Sequence, residues 1–210
     1  MHQKHATCLN VSLLLAAMTC PAGAISASET PGFTITIHLY NYAAVPEKTL
    51  VRAKEEAGRI FRNAGLTALW VDHALSAGDL RHPHHSTESW DDTHFVVRLF
   101  ALSRKGLNRS AMGEALSGRI ANVFMDHVTE VTVVGELSAG QVLGHAIAHE
   151  IGYHLLGDNS HSPRGIMVAK WSKQDLWRMS KGNLLFTHQE VTRIQAEVRH
   201  RSRLVLRVAD

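Results

Sequence analysis

The stretch HEIGYHLLGDNSHSPRGIM, residues 149–167, decides how this chain of 210 residues is interpreted. It begins inside an apolar segment that is typical of a helix, and Gly157 is placed to end that helix. At about 100° per residue, Tyr153 lies about 40° from His149 on one helical face, whereas His154 lies at about 140°, within the apolar face. An undistorted helix therefore cannot direct His149 and His154 at one metal ion.

Two further residues can join the face that His149 and Tyr153 form. A chain that turns back after Gly157 brings His161 beside that face. Glu150 flanks the face, at a position from which a general base reaches a water molecule. Three protein ligands and one open position are the arrangement of a catalytic zinc site. The pattern therefore points to a zinc centre with His149, Tyr153 and His161 as ligands.

This stretch resembles zincin metallopeptidases, particularly the metzincin group, in which His-Glu-x-x-His precedes a glycine turn, a third histidine and a methionine turn. Gly157, His161 and the segment Gly165-Ile166-Met167 match that order. The stretch is more similar still to a group of uncharacterised exported bacterial zincin-like proteins with the pattern HExGHxLLGxxxHSPxGIM. The resemblance implies a zinc-dependent peptidase with Glu150 as the catalytic base, and with Gly157 and Met167 in the turns that support the site.

The chain departs from that pattern at two adjacent positions. Tyr153 stands where zincins have the second zinc histidine, and His154 stands where the bacterial group has leucine. A phenol has an ordinary pKa of about 10, so binding a metal as phenolate at pH 7 costs about 4 kcal/mol. Structural zinc sites release about 10–16 kcal/mol. We therefore expect a site that uses Tyr153 to bind zinc more weakly than a three-histidine site.

Three alternatives to Tyr153 as a ligand remain open. One extra residue in the helix, a π-bulge, would rotate His154 onto the zinc face. His145 and His149, four residues apart, could instead form their own pair. The chain could also lack a tight metal site and be a catalytically inactive, zincin-like secreted binding protein.

A weaker hypothesis places metal binding elsewhere, in the histidine-rich segment of residues 82–94, HPHHSTESWDDTH. A metal-buffering protein would use the histidines at positions 82, 84, 85 and 94. The same residues, with Pro83 among them, are more simply typical of a solvated loop.

The first 24 residues predict a cleaved export signal. Lys4 precedes the apolar run VSLLLAAM, which is too short to span a bilayer, and Ala22-Gly23-Ala24 matches a cleavage site. We therefore expect a secreted or periplasmic protein whose mature part, residues 25–210, is one zincin-like metallopeptidase domain. Cys8 and Cys20 both precede that part, which leaves no thiolate ligand for zinc.

Composition limits the partners of the chain. With 22 Lys+Arg against 19 Asp+Glu, the net charge is only +3, and no basic stripe interleaved with aromatic residues is present. We therefore expect no nucleic-acid binding and no membrane span. The expected partner is a peptide or protein substrate, bound by a monomer.

The remaining pattern predicts an α/β (α+β) fold: a single domain with a twisted mixed sheet, a backing helix and an active-site helix. Alternating or β-branched runs predict strands, and amphipathic runs with capping residues predict helices. The predicted strands are residues 33–40, 66–71, 94–102 and 121–128, and the predicted helices are 46–63, 139–156, 172–179 and one that begins near 188.

Overall fold

A five-stranded mixed sheet lies at the centre of the domain, in a computed structural model that describes residues 33–76, 90–104, 112–157 and 160–208. The strands are β1 (Phe33–Asn41), β2 (Leu66–His73), β3 (His94–Phe100), β4 (Gly113–Leu116) and β5 (Ile120–Phe124), in the order β2-β1-β3-β5-β4. Neighbouring strands are parallel except for β4, which runs antiparallel to β5 at one edge. The predicted α/β class with a mixed sheet is confirmed. The predicted export signal lies outside the described residues.

Five helices accompany the sheet within those ranges. They are α1 (Glu47–Asn63), α2 (Met125–Gly135), α3 (Ala139–Leu156), α4 (Lys173–Ser180) and α5 (His188–Val208). None of these helices combines the length and the apolar composition that a membrane crossing needs.

Helix α1 backs helix α3, which carries the histidines. Its predicted inner face is buried, from Leu50 to Phe61. The two helices approach closely because α3 has glycines at the contact: a Cβ atom at Gly144 would lie 2.6 Å from the carbonyl oxygen of Ala53. The predicted backing helix is therefore confirmed, and it fixes one side of α3.

Helix α5 begins as its capping sequence predicts. The backbone N–H of Thr187 donates to the Glu190 carboxylate (2.6 Å), and the Glu190 N–H donates to the Thr187 hydroxyl (3.4 Å). This reciprocal pair satisfies two free donors at the helix start. It also fixes the position of Thr187, which lies next to Gly165 in the segment that follows His161.

One predicted strand, residues 121–128, is wrong in its second half. The strand ends at Phe124, and α2 begins at once at Met125. Valines and threonines here favour a strand, but the hydroxyls of Thr129 and Thr132 donate to carbonyls four residues earlier, as helical threonines can. Helical spacing then places four residues of α2 on one face, towards the candidate site: His127, Glu130, Val131 and Val134.

Candidate metal centre

Helix α3 carries the central residues of the site. Its start is capped by Ser138, whose hydroxyl accepts a hydrogen bond from the Gln141 N–H (3.2 Å). Its end is Gly157, with φ 81°, a backbone conformation that glycine adopts without strain. Between these ends, His149, Glu150 and Tyr153 line a cavity of about 670 Å³.

His149 is held in one tautomer by the backbone. Its Nδ1 lies 2.8 Å from the carbonyl oxygen of Ile166, which can only accept a hydrogen bond, so Nδ1 carries the proton. Nε2 is then the nitrogen with the free lone pair. Burial lowers the pKa of His149 below its ordinary value, which favours the neutral imidazole that metals bind.

His161 lies on the same side of the cavity as His149. The ring centres of the two histidines are 5.6 Å apart. Two imidazoles bound to one zinc ion at about 2.0 Å have ring centres about 5 Å apart, so a small movement of the exposed His161 would let both bind one ion. The turn after Gly157 thus brings together two of the proposed ligands.

Tyr153 is the third proposed ligand, and its ring centre is 5.7 Å from that of His161. Within the described ranges, no group of three His, Cys, Asp or Glu side chains is arranged to hold a metal ion. The side chains that lie together around His161 are one further imidazole, that of His149, and the phenol of Tyr153. Such a set fits zinc only if the phenol oxygen takes the third position.

Glu150 faces the cavity beside His149. Burial, followed by the charge of nearby Glu114, raises the pKa of Glu150 to about 8. The carboxyl approaches strand β4 closely, because a Cβ atom at Gly113 would lie 2.9 Å from Glu150 Oε1. A carboxyl group at the wall of a cavity can exchange protons with a ligand.

His154, the alternate ligand, points away from this cavity. Its Nε2 lies 3.0 Å from the carbonyl oxygen of Ile120 in β5, and its ring lies near Phe95. Helix α3 is α-helical from Ala139 to Leu156, with no π-bulge to rotate His154. The structure does not bring His154 together with His149.

His145 also lies apart from a metal position. It is fully buried, its Nδ1 is 2.9 Å from the carbonyl oxygen of Gln141, and the same atom lies 3.6 Å from the Glu56 carboxylate. These partners belong to the interface between α1 and α3. His145 therefore has a place in the core rather than in the cavity.

The methionine turn, Gly165-Ile166-Met167, packs against α3 next to the site. Met167 is fully buried, and a Cβ atom at Gly152 would lie 2.9 Å from its sulfur, so the turn packs directly against α3. Gly165 adopts φ 82°, and the Ile166 N–H donates to the carbonyl oxygen of Leu185 (2.9 Å). The turn thereby presents the Ile166 carbonyl to His149.

Sequence reasoning missed several groups of the cavity wall. Glu114 comes from the unpredicted strand β4, where Asn122 donates to it (2.7 Å) and Arg104 pairs with it. Helix α2 brings in His127 and Glu130. No local signal identifies these residues. Glu114 reaches the cavity through the pairing of β4 with β5, and His127 and Glu130 reach it from a helix whose sequence pattern predicts a strand.

The histidine-rich segment is described only in part. His94 Nδ1 lies 2.9 Å from His38 Nε2, and His38 Nδ1 lies 2.9 Å from His73 Nε2. The histidines at positions 82, 84 and 85 lie outside the described residues. The described histidines thus form a chain of hydrogen bonds across three strands, β2, β1 and β3.

We expect His154 to make the stability of the protein depend on pH. Burial lowers its pKa to about 4, whereas an unfolded histidine has a pKa of about 6.5. As the pH falls from 6.5 towards 4, His154 therefore becomes protonated in the unfolded chain but stays neutral in the folded chain. This difference lowers the free energy of unfolding. This loss amounts to about 2–3 kcal/mol between pH 7.5 and 4.5.

The measurement is urea unfolding at these two pH values, for the native protein and for His154→Gln, whose amide can still donate to Ile120 without titrating. The variant is expected to lose about 2–3 kcal/mol less stability over this range. His188→Gln, at an exposed histidine, serves as the control and is expected to behave as the native protein does. Equal losses in His154→Gln and the native protein would contradict the prediction.

Comparisons with known proteins return structures only. The chain matches no family model and no curated protein sequence. It is similar to the crystal structure of a zinc-dependent peptidase from Methanocorpusculum labreanum, with a TM-score of 0.49 and 15% identity over 75% of this chain and 99% of that one. It is also similar to the crystal structure of archaemetzincin from Methanopyrus kandleri, with a TM-score of 0.48 and 16% identity over 80% of this chain and 98% of that one.

Proposed function

We propose that the protein is an exported, zincin-like, zinc-dependent metallopeptidase. The observation that carries this proposal is the bond between His149 Nδ1 and the Ile166 carbonyl oxygen (2.8 Å). A metal-binding histidine generally donates its other ring N–H to a carbonyl or carboxylate, which fixes the tautomer and the ring orientation. His149 meets that requirement at the wall of the cavity, with His161 beside it.

His149, His161 and Tyr153 would hold the zinc ion. When bound, zinc supplies a Lewis acid that polarises a peptide carbonyl and lowers the pKa of a water molecule. Glu150 accepts the proton of the attacking water and returns it to the nitrogen of the leaving amine. Its position at the wall of the cavity, next to His149 in the chain, supports this role.

The proposed substrate is a peptide or protein, and the volume and lining of the cavity support this choice. Its volume, about 670 Å³, falls within the range of about 300–1,000 Å³ that is usual for ligand sites. Apolar side chains such as Val131 and Leu176 line it together with Glu130 and Lys170. A peptide segment, which combines apolar side chains with a polar backbone, suits such a wall.

Export is part of the proposal and rests on the sequence of residues 1–24. A basic start, a short apolar run and Ala22-Gly23-Ala24 are the three parts of a secretory signal. Cleavage of this signal would remove Cys8 and Cys20, so the zinc site of the mature protein would contain no thiolate ligand.

The proposal is tested by titrating Zn²⁺ into metal-free protein, beside His149→Ala and a control, His188→Ala, at an exposed position. A structural site of about 10–16 kcal/mol, less about 4 kcal/mol for the phenol, corresponds to a dissociation constant between nanomolar and tens of micromolar. We expect one Zn²⁺ per chain in that range for native protein and control, and at least about 100-fold weaker binding for His149→Ala. Equal binding by His149→Ala and the native protein would refute the zinc site.

A second candidate function is a catalytically inactive zincin-like binding protein. The observation that favours it is the donor set: within the described residues, no three His, Cys, Asp or Glu side chains are arranged to hold a metal ion, and the third group beside His149 and His161 is a phenol. In that case the native protein binds no zinc at micromolar concentrations, and the cavity holds a peptide without cleaving it.

A further inference from the structure

One carbonyl oxygen receives two side-chain donors at the edge of the candidate site. The oxygen of Ile166 accepts a hydrogen bond from His149 Nδ1 at 2.8 Å and another from Trp171 Nε1 at 3.1 Å. A carbonyl oxygen has two lone pairs, so these two donors use its full capacity. His149 and Trp171 are thereby attached to the same point of the backbone.

The Trp171 ring is also held between two histidine rings. It meets His149 edge-on, with ring centres 6.1 Å apart and an angle of 82°, and it meets His145 in the same way, at 6.2 Å and 84°. Edge-to-face contacts at such distances are favourable for aromatic rings. Since His145 and His149 are four residues apart on α3, the indole spans one turn of that helix.

The partners of the indole are themselves fixed. His145 is fully buried, with its Nδ1 2.9 Å from the Gln141 carbonyl oxygen. The turn that carries Ile166 is held on both sides, by the bond from its own N–H to Leu185 and by the bond from the Ser162 N–H to the Met167 carbonyl oxygen (3.0 Å). Trp171 therefore connects two rigid parts of the domain, α3 and the methionine turn.

We propose that Trp171 is a positioning residue for His149, which orients the Ile166 carbonyl and so fixes the imidazole with Nε2 free for a metal. Without the indole N–H, one of the two bonds that orient this carbonyl is lost, and the imidazole gains freedom to rotate. The orientation of His149 is a property of the metal-free protein. Only the consequence for zinc affinity rests on the proposed function.

The first test needs no variant and no metal. Two hydrogens that each lie about 2 Å from one oxygen are at most about 4 Å apart, close enough for a nuclear Overhauser effect. We expect such an effect in metal-free protein between the indole N–H of Trp171 and the Nδ1–H of His149, with slow exchange of both protons. Absence of the effect while both protons are observed would overturn the proposal, whether or not the protein binds zinc.

The second test compares Trp171→Phe with Trp177→Phe. Phenylalanine keeps an aromatic ring against His145 and His149 but has no N–H. Trp177, which is 61% exposed, allows the same substitution to be made outside the site. In Trp171→Phe we expect faster exchange of the His149 Nδ1–H and Zn²⁺ affinity lower by about 10–100-fold. Trp177→Phe is expected to match the native protein in both measurements.

A merely structural role predicts another result. Trp171→Phe would then have a lower melting temperature, but the exchange of the His149 Nδ1–H and the Zn²⁺ affinity would stay as in the native protein, and the proposal would be wrong. The zinc titration is also made in a Tyr153→His background, so that weak binding by the native protein does not hide the difference. Faster Nδ1–H exchange with no zinc binding in either background would support the positioning role and contradict the proposed function.

Discussion

Tyr153→His is expected to tighten zinc binding by up to about 1,000-fold. A phenol must release a proton to bind as an anion, at a cost of about 4 kcal/mol at pH 7, whereas a neutral imidazole binds without that cost. A saving of this size corresponds to three factors of ten in the dissociation constant. The new imidazole would start from the same helical position, next to His161, whose ring centre lies 5.7 Å from that of Tyr153.

The measurement is competition for Zn²⁺ between the protein and a coloured chelator at pH 7. Tyr153→Phe is the matched control, because it keeps the half-buried ring of the native side chain and removes only the oxygen. If the phenol binds zinc, Tyr153→Phe binds more weakly than the native protein and Tyr153→His binds more tightly. Equal affinity of Tyr153→Phe and the native protein would exclude Tyr153 as a ligand.

This experiment also separates the two candidate functions. A native protein that binds zinc through Tyr153 is expected to lose affinity in Tyr153→Phe. A zincin-like protein that has lost its metal would bind zinc only after Tyr153→His. The arrangement of His149, His161 and the cavity is common to both cases, so the difference between them is the chemistry of one oxygen atom.

Local patterns predict the parts of the fold that local chemistry determines. Helix α3 runs over the predicted residues because Ser138 caps it and Gly157 ends it. Its angular spacing predicts that His149 and His154 lie on different faces, and in the structure His154 contacts the carbonyl of Ile120 in the sheet instead of the cavity. These features depend on neighbouring residues along one helix, which a sequence displays directly.

Features that depend on distant residues could not be predicted in this way. Strand β4 exists because it pairs with β5, and its four residues carry no strand pattern of their own. Helix α2 overrides the strand preference of its valines, of which Val133 remains 73% exposed. The proximity of Trp171 to His149 arises from the path of the turn after His161, which no spacing rule specifies.

Glu150→Gln is expected to remove most peptidase activity while leaving zinc affinity nearly unchanged. A general base contributes about 10²–10⁴-fold to the rate, and glutamine has nearly the same shape as glutamate but cannot accept the proton. Burial and the charge of Glu114 favour the protonated carboxyl, with a pKa of about 8. A Zn²⁺ ion bound beside Glu150 would have the opposite effect. It would lower the pKa of Glu150 and so favour the carboxylate that a base requires.

The loss is measured as kcat/KM on a peptide substrate, in the native protein and in the Tyr153→His background, with Zn²⁺ affinity determined for each variant. Glu130→Gln is the matched control, because Glu130 lines the same cavity from α2 but is exposed. We expect it to change kcat/KM by less than tenfold, against about 100-fold or more for Glu150→Gln. If both substitutions lower kcat/KM equally, Glu150 contributes only to the charge of the cavity, and the base must be sought among the other residues of its wall, such as Glu114 or His127.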